Sequence, residues 1–185
     1  TLAAGELVFS EYDAGVAGGS LTGNARLRWG ENWSLEGEIN AREVDAGRLG
    51  KLLVSSGRLA GKGAFAMRAP NPEKLQSTLR IEGNFSVQKG TLGGVDMTRV
   101  LQGQSASGGS TLFSEMSGNV LYEAGRAQVR QLRISAGLLN ATGNASMDAQ
   151  TNISGSLQME LKATGAQMRA NLAVSGTLAA PNFKR

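Results

Sequence analysis

Ile81-Glu82-Gly83-Asn84-Phe85-Ser86-Val87 decides the fold. Its odd-numbered residues are apolar or glycine and its even-numbered residues are polar, the period-two pattern of a strand with one dry and one wet face. The same apolar-x-Gly unit recurs in seven further places, at Leu21–Gly23, Leu35–Ile39, Leu59–Gly61, Met116–Tyr122, Ala141–Met147, Ile153–Met159 and Val174–Leu178. Each time the glycine falls on the dry face, where it adds no side-chain volume and lets the strand bend. The expected fold is therefore mainly β: a strongly curved antiparallel sheet, a groove or half-barrel, with an apolar and incompletely filled concave face.

Composition agrees. Glycine supplies 26 of 185 residues, about twice the usual ~7%, and the excess sits inside the alternating runs. Hydrophobic residues make up 41%, too many for a disordered chain. The three prolines (Pro70, Pro72, Pro181) lie outside the runs. The net charge of +4 is spread over polar strand positions (Arg26, Arg28, Arg58, Lys62, Arg68, Arg80), so nucleic acid is not an expected partner. A mildly basic surface beside anionic lipid explains it as well.

Cysteine and histidine are absent, which removes histidine and cysteine zinc sites, nucleophilic triads and disulfide frameworks. Glu36 and Glu38 lie two apart on a polar strand face, a spacing found on any exposed strand. Asp45 and Asp96 read as helix caps. Gly61-Lys62-Gly63 lacks the Ser or Thr of a phosphate loop. No catalytic residue, metal site or cofactor is expected, and the chain reads as non-enzymatic. No run approaches the ~18 apolar residues of a membrane helix. No signal peptide is visible and the chain starts at Thr1, so it is expected to be an excised piece whose membrane anchor lies elsewhere.

Strand-like runs cover Gly5–Ser10, Ser20–Trp29, Trp33–Asn40, Arg58–Ala69, Leu79–Gln88, Glu115–Tyr122, Ala127–Ser135, Leu138–Ser146, Ile153–Leu161 and Arg169–Leu178. Gly30–Asn32 and Ala124–Arg126 read as hairpin turns, and a phase change near Gln131 predicts a bulge. Two or three short helices interrupt the strands. Asp45 caps Ala46–Leu53; Asn71 caps a turn from Pro72 to about Gln76; Asp96 caps Met97–Gln102, which Gly103 ends. Val44-Asp45-x-x-Arg48-Leu49 and Val95-Asp96-x-x-Arg99-Val100 share wording at a spacing of about 50 residues, which suggests an internal repeat. The Gly/Ser-rich stretch Gln102–Ser110 is expected to be a mobile flap.

From about Ser34 onward the chain resembles the C-terminal region of AsmA-like proteins. The likeness rests on the order strand, capped helix, apolar-x-Gly strand, proline-led turn and strand. It continues with Lys89-Gly90-Thr91-Leu92-Gly93-Gly94-Val95-Asp96 and a helix, then Gly108-Gly109-Ser110-Thr111-Leu112-Phe113, and closes on Val174-Ser175-Gly176-Thr177-Leu178 before Pro181. The resemblance implies one β-groove domain over 1–185, divisible into repeat units of about 34–90 and 91–185 after an N-terminal strand extension. It further implies a periplasmic domain of an inner-membrane-anchored Gram-negative envelope protein, linked to outer-membrane biogenesis and lipid transport. The family offers no catalytic residue to carry over.

The expected lining of a lipid groove is Trp29, Leu35, Ile39, Phe65, Met67, Ile81, Phe85, Val87, Tyr122, Met147, Leu157, Met159 and Leu161, with Trp33 beside them. The partner would be phospholipid or another acyl-chain lipid, with the membrane reached through segments outside this chain and end-to-end pairing with neighbouring β domains. The alternative is a structural β-repeat, a scaffold or adhesin-type module, whose core is filled and holds no ligand.

Overall fold

A computed structural model describes residues 5–50, 53–104, 108–163 and 166–185. Eleven strands form a single antiparallel sheet in which every strand pairs with its neighbour in sequence. They are β1 (Gly5–Val16), β2 (Gly19–Trp29), β3 (Trp33–Asp45), β4 (Val54–Ala69), β5 (Arg80–Gly93), β6 (Ser110–Glu123), β7 (Arg126–Ala136), β8 (Leu139–Met147), β9 (Ile153–Ala163), β10 (Ala166–Gly176) and β11 (Pro181–Lys184). The sheet is not closed into a barrel: β1 and β11 are its two edges.

Short turns enforce the meander. Ala17 and Gly18 have φ of 48° and 81°, and Ala124 and Gly125 have 47° and 81°. Two successive positive φ values are the hairpin geometry whose twist matches that of the strands. The connections β2–β3, β4–β5, β6–β7, β8–β9 and β10–β11 gather at one end of the sheet, here the tip end. Those after β1, β3, β5, β7 and β9 gather at the other, the helix end.

Bulges hold the dry face in phase. Gln131 has φ 52° and the register slips between Val129 and Leu132, as the phase change predicts. Glu43 and Lys89 have φ of 53° and 51° and lie at comparable slips in β3–β4 and β4–β5. These two escape the sequence reading, which ended both strands early, at Asn40 and Gln88. β11 and the second half of β1 also lie beyond the expected runs, because Glu11–Gly15 and Asn182–Lys184 alternate too weakly to read as strand.

Of the helical expectations, one is a true α-helix, α1 (Met97–Leu101), with the Asp96 carboxylate accepting from the N–H of Thr98 and of Arg99. The Asp45 segment makes only a single 3₁₀ turn, Ala46–Arg48, although Asp45 does cap it; positions 51–52 of that expectation lie outside the described residues. Two glycines, Gly47 and Gly50, stand where the α1 copy has Thr98 and Leu101, and glycine is among the poorest helix formers. The Asn71-capped turn is a pair of 3₁₀ turns, Pro72–Lys74 and Gln76–Thr78. Of the expected flap, 105–107 lie outside the described residues.

The core is lopsided. Its buried cluster joins α1 (Met97, Val100, Leu101) to the dry face of β5 to β11, through Val87, Met116, Ile134, Met159 and Leu172. From β1 to β4 the buried apolar residues are only Val44 and Ala69, with Ala46 in the turn beyond β3.

Candidate functional site: the apolar face of the sheet

Register assembles the dry-face residues into rows. One unbroken row of direct partners crosses all eleven strands: Tyr12, Gly23, Ile39, Gly63, Gly83, Val120, Val129, Ala145, Gly155, Val174 and Phe183. The next row towards the tip end is Phe9, Ala25, Gly37, Phe65, Ile81, Tyr122, Ala127, Met147 and Ile153. Beyond it Leu7, Leu27, Leu35 and Met67 form a third row on the first four strands. The stacked rings of Trp29 and Trp33, with centroids 6.0 Å apart, stand at its margin.

The expected lining thus falls into two groups. Trp29, Leu35, Phe65, Met67, Ile81 and Tyr122 lie half-buried towards the tip end and Ile39 half-buried in the row that crosses the whole sheet, and all seven stand outside the buried cluster; Trp33 is half-buried beside Trp29. Val87, Leu157 and Met159 are instead buried in that cluster, with Phe85, Met147 and Leu161 packed against it. Leu7, Phe9, Tyr12 and Leu27 share the open face and are missing from the expected lining. Leu7 and Phe9 are 46% and 44% exposed, and the Leu7-x-Phe9 alternation was the available signal.

The glycines let neighbouring backbones approach. A Cβ at Gly23, Gly37, Gly83, Gly143 or Gly155 would collide with a carbonyl oxygen of the adjacent strand, those of Glu38, Asn24, Lys62, Ser156 and Asn144 respectively. Their small size is therefore required by the backbone, and it also leaves shallow places along the apolar rows. Tyr12 lies across one of them: its hydroxyl donates to the Glu38 carbonyl at 3.0 Å. Burial holds its phenol above the ordinary value.

Helix α1 closes the helix end of the face. Met97, Val100 and Leu101 are at most 1% exposed. Thr111 locks the entry to the helix, its Oγ1 accepting from the Met97 N–H at 3.0 Å and donating to the Val95 carbonyl at 2.9 Å. Arg185 closes the exit, donating to the Leu101 carbonyl at 3.2 Å. Leu49, the counterpart of Val100 in the shorter segment, is 41% exposed and plugs nothing.

The wet face carries charge in compensated sets. Arg28 pairs with Glu6 at 3.1 Å and Glu36 at 3.3 Å, and Arg80 with Glu82 and Glu123. Glu38 accepts from the Asn24 amide at 3.1 Å, so the Glu36 and Glu38 carboxylates face different partners. A cleft of about 720 Å³ opens on this side, between Arg28, Glu36, Arg68, Thr78, Arg80 and Glu123. Among the described residues no three acids converge as metal ligands would. Comparison with known family models, curated proteins and solved structures finds no match.

Proposed function

We propose that this chain is a non-enzymatic groove module of the AsmA-like kind, which shields the acyl chains of phospholipid or a similar lipid from water in the periplasm. In this reading the sheet is strongly curved about its glycine-rich middle row, with the apolar face concave. It forms part of an inner-membrane-anchored protein that conducts lipid for outer-membrane assembly. The observation that carries the proposal is the uneven coverage of one continuous apolar face. Residues such as Phe65, Ile81, Leu35 and Leu7 stay accessible at the tip end, while α1 fills the helix end.

Shielding of this kind needs no directed bonds. Each buried methylene contributes about 0.8 kcal/mol, and burial is non-directional, so a chain can slide along the rows. Met67, half-buried on β4, suits an irregular ligand. The Trp29–Trp33 pair offers broad rings with a polar N–H at the margin, as aromatic residues do where apolar and wet regions meet.

The test is native mass spectrometry of the chain purified without detergent from a Gram-negative host, with lipid extraction of the same sample. The expected result is stoichiometric phospholipid, lost in Phe65→Glu and Ile81→Glu variants that keep the wild-type circular dichroism. Because Trp29 and Trp33 are the only tryptophans, added lipid with brominated acyl chains should quench the intrinsic fluorescence. An apo mass with neither uptake nor quenching would favour a structural module whose exposed face packs against protein.

A further inference from the structure

We propose that the tip-end cleft on the polar face binds a zwitterion with one phosphate and one ammonium group, the chemistry of a phosphoethanolamine headgroup. Arg68 takes the phosphate and Glu31 the ammonium. The inference concerns the polar face and does not depend on whether the apolar face holds acyl chains.

Register builds the cleft from two rows of long side chains, each interrupted by a small residue. Arg28 on β2, Ser34 on β3 and Arg68 on β4 are direct partners. Two residues further from the tip end, Glu36, Ala66, Arg80 and Glu123 follow one another across β3 to β6. Ser34 and Ala66 are short, so the floor is low between the arginines, and the cleft encloses about 720 Å³. Glu31 and Asn32 line it from the β2–β3 turn. Thr78 pins the β4 side: its hydroxyl accepts from the Arg68 N–H at 3.0 Å and donates to the Leu75 carbonyl at 2.9 Å.

The charges divide into satisfied and open ones. Arg28 lies between Glu6 and Glu36, and Arg80 between Glu82 and Glu123, at 3.1–3.4 Å. Each of these arginines is held by two carboxylates. Arg68 stands between them in strand order and has no ion pair among the described residues; neither has Glu31. Both are exposed and both line the cleft, yet they do not reach each other. Arg68 rises from β4 and Glu31 from the turn between β2 and β3, so more than one strand spacing of about 4.8 Å lies between their backbones.

Those features set the ligand. The cleft is lined by three arginines and by three glutamates, Glu31, Glu36 and Glu123, so their formal charges cancel and a simple anion gains little there. A zwitterion meets both open charges at once and spans the gap between them. The guanidinium fork of Arg68 matches phosphate oxygens. The Ser34 hydroxyl and the Asn32 amide add donors for a group with several acceptor oxygens, and the three N–H donors of an ammonium suit the Glu31 carboxylate.

The test uses glycerophosphoethanolamine, which carries the zwitterion without acyl chains, and glycerol phosphate, which lacks the ammonium. Titration of ¹⁵N-labelled chain at low ionic strength should give millimolar binding of glycerophosphoethanolamine, with amide shifts at residues 30–34 and 66–68, and weaker binding of glycerol phosphate. Arg68→Gln and Glu31→Gln should each weaken the zwitterion about fivefold, the upper end for an exposed ion pair. Glu31→Gln should not weaken glycerol phosphate, because it removes a repulsion. Lys62→Gln removes an exposed charge of the polar face outside the cleft and should bind as wild type. Dihexanoyl phosphatidylethanolamine below its micelle concentration separates the sources: tighter binding than the deacylated probe identifies a lipid, and equal or weaker binding a soluble phosphoethanolamine compound. Absence of shifts at the cleft, Arg68→Gln or Glu31→Gln indistinguishable from Lys62→Gln, or glycerol phosphate bound as tightly as the zwitterion would each overturn the proposal.

Discussion

Gly143→Ala tests whether the glycines of the apolar face are there because the backbone leaves no room for a side chain. The built Cβ collides with the Ser156 carbonyl oxygen and lies 2.9 Å from the carbon of the same group. Both are backbone atoms of β9, so no rotamer change relieves the overlap, and β8 and β9 have to separate locally. Overpacking of this sort costs about 1–3 kcal/mol, and a weakened ladder hydrogen bond adds about 0.5–1.5 kcal/mol. Alanine also stiffens the unfolded chain, which returns about 0.4–1 kcal/mol. The net loss is then roughly 0.5–4 kcal/mol. For a chain of this size that lowers Tm by about 2–4 °C per kcal/mol. Gly15→Ala is the control: nothing lies within 4 Å of its Cβ, so only the unfolded-state term remains and the variant should equal or slightly exceed wild type. Urea unfolding followed by circular dichroism gives both values from the midpoints at unchanged slope. A Gly143→Ala variant within about 0.5 kcal/mol of wild type would refute the reasoning, since the strands would then have room that the ladder does not show.

Three further outcomes follow from the same geometry. Leu101→Ala should destabilise the chain by about 2–5 kcal/mol because Leu101 is 0% exposed, whereas Leu49→Ala in the related but exposed segment should change the urea midpoint little; equal effects would contradict the division between plug and open turn. Thr111→Val leaves the Met97 N–H and the Val95 carbonyl without their buried partner and should cost about 1–3 kcal/mol, with Thr111→Ser near wild type on the same assay. Asp148 accepts from the side-chain amide of Asn152 at 2.8 Å and from the backbone N–H groups of Asn152 and Gln150. The Asn152 amide is the chief cause that holds its carboxyl below the ordinary value. A depressed folded pKa means its stabilisation is complete above the unfolded carboxylate value and is lost as pH falls through the lower folded one. Urea midpoints measured from neutral to acid pH should therefore fall less steeply in Asp148→Asn, and an unchanged acid limb would count against the assignment.

Much of this architecture needs only local information. Alternation at Ile81–Val87 and at Ala141–Met147 marks a strand and assigns each residue to a face, since consecutive side chains point opposite ways whatever the partner. Asp96 ahead of Met97 announces a helix start for a similarly local reason, because the capping carboxylate reaches N–H groups only two and three residues away. Residues 81, 85 and 87 could therefore be placed on the dry face before any contact was known.

Local pattern could not say which part of that face is covered. Phe65 and Leu157 each stand two residues after a dry-face glycine, Gly63 and Gly155, yet Phe65 is half-buried while Leu157 is 4% exposed. The difference lies in α1 and the packed strands around it, which reach Leu157 and not Phe65. Nor could the pattern place Leu7 in line with Met67, or Tyr12 in line with Phe183. Those rows depend on pairing across the whole sheet, and on one-residue slips at Glu43, Lys89 and Gln131 that keep the apolar set on one side. Period and capping belong to the sequence because they act within a few residues. Coverage and register belong to the tertiary structure because they depend on partners tens to more than a hundred residues away along the chain.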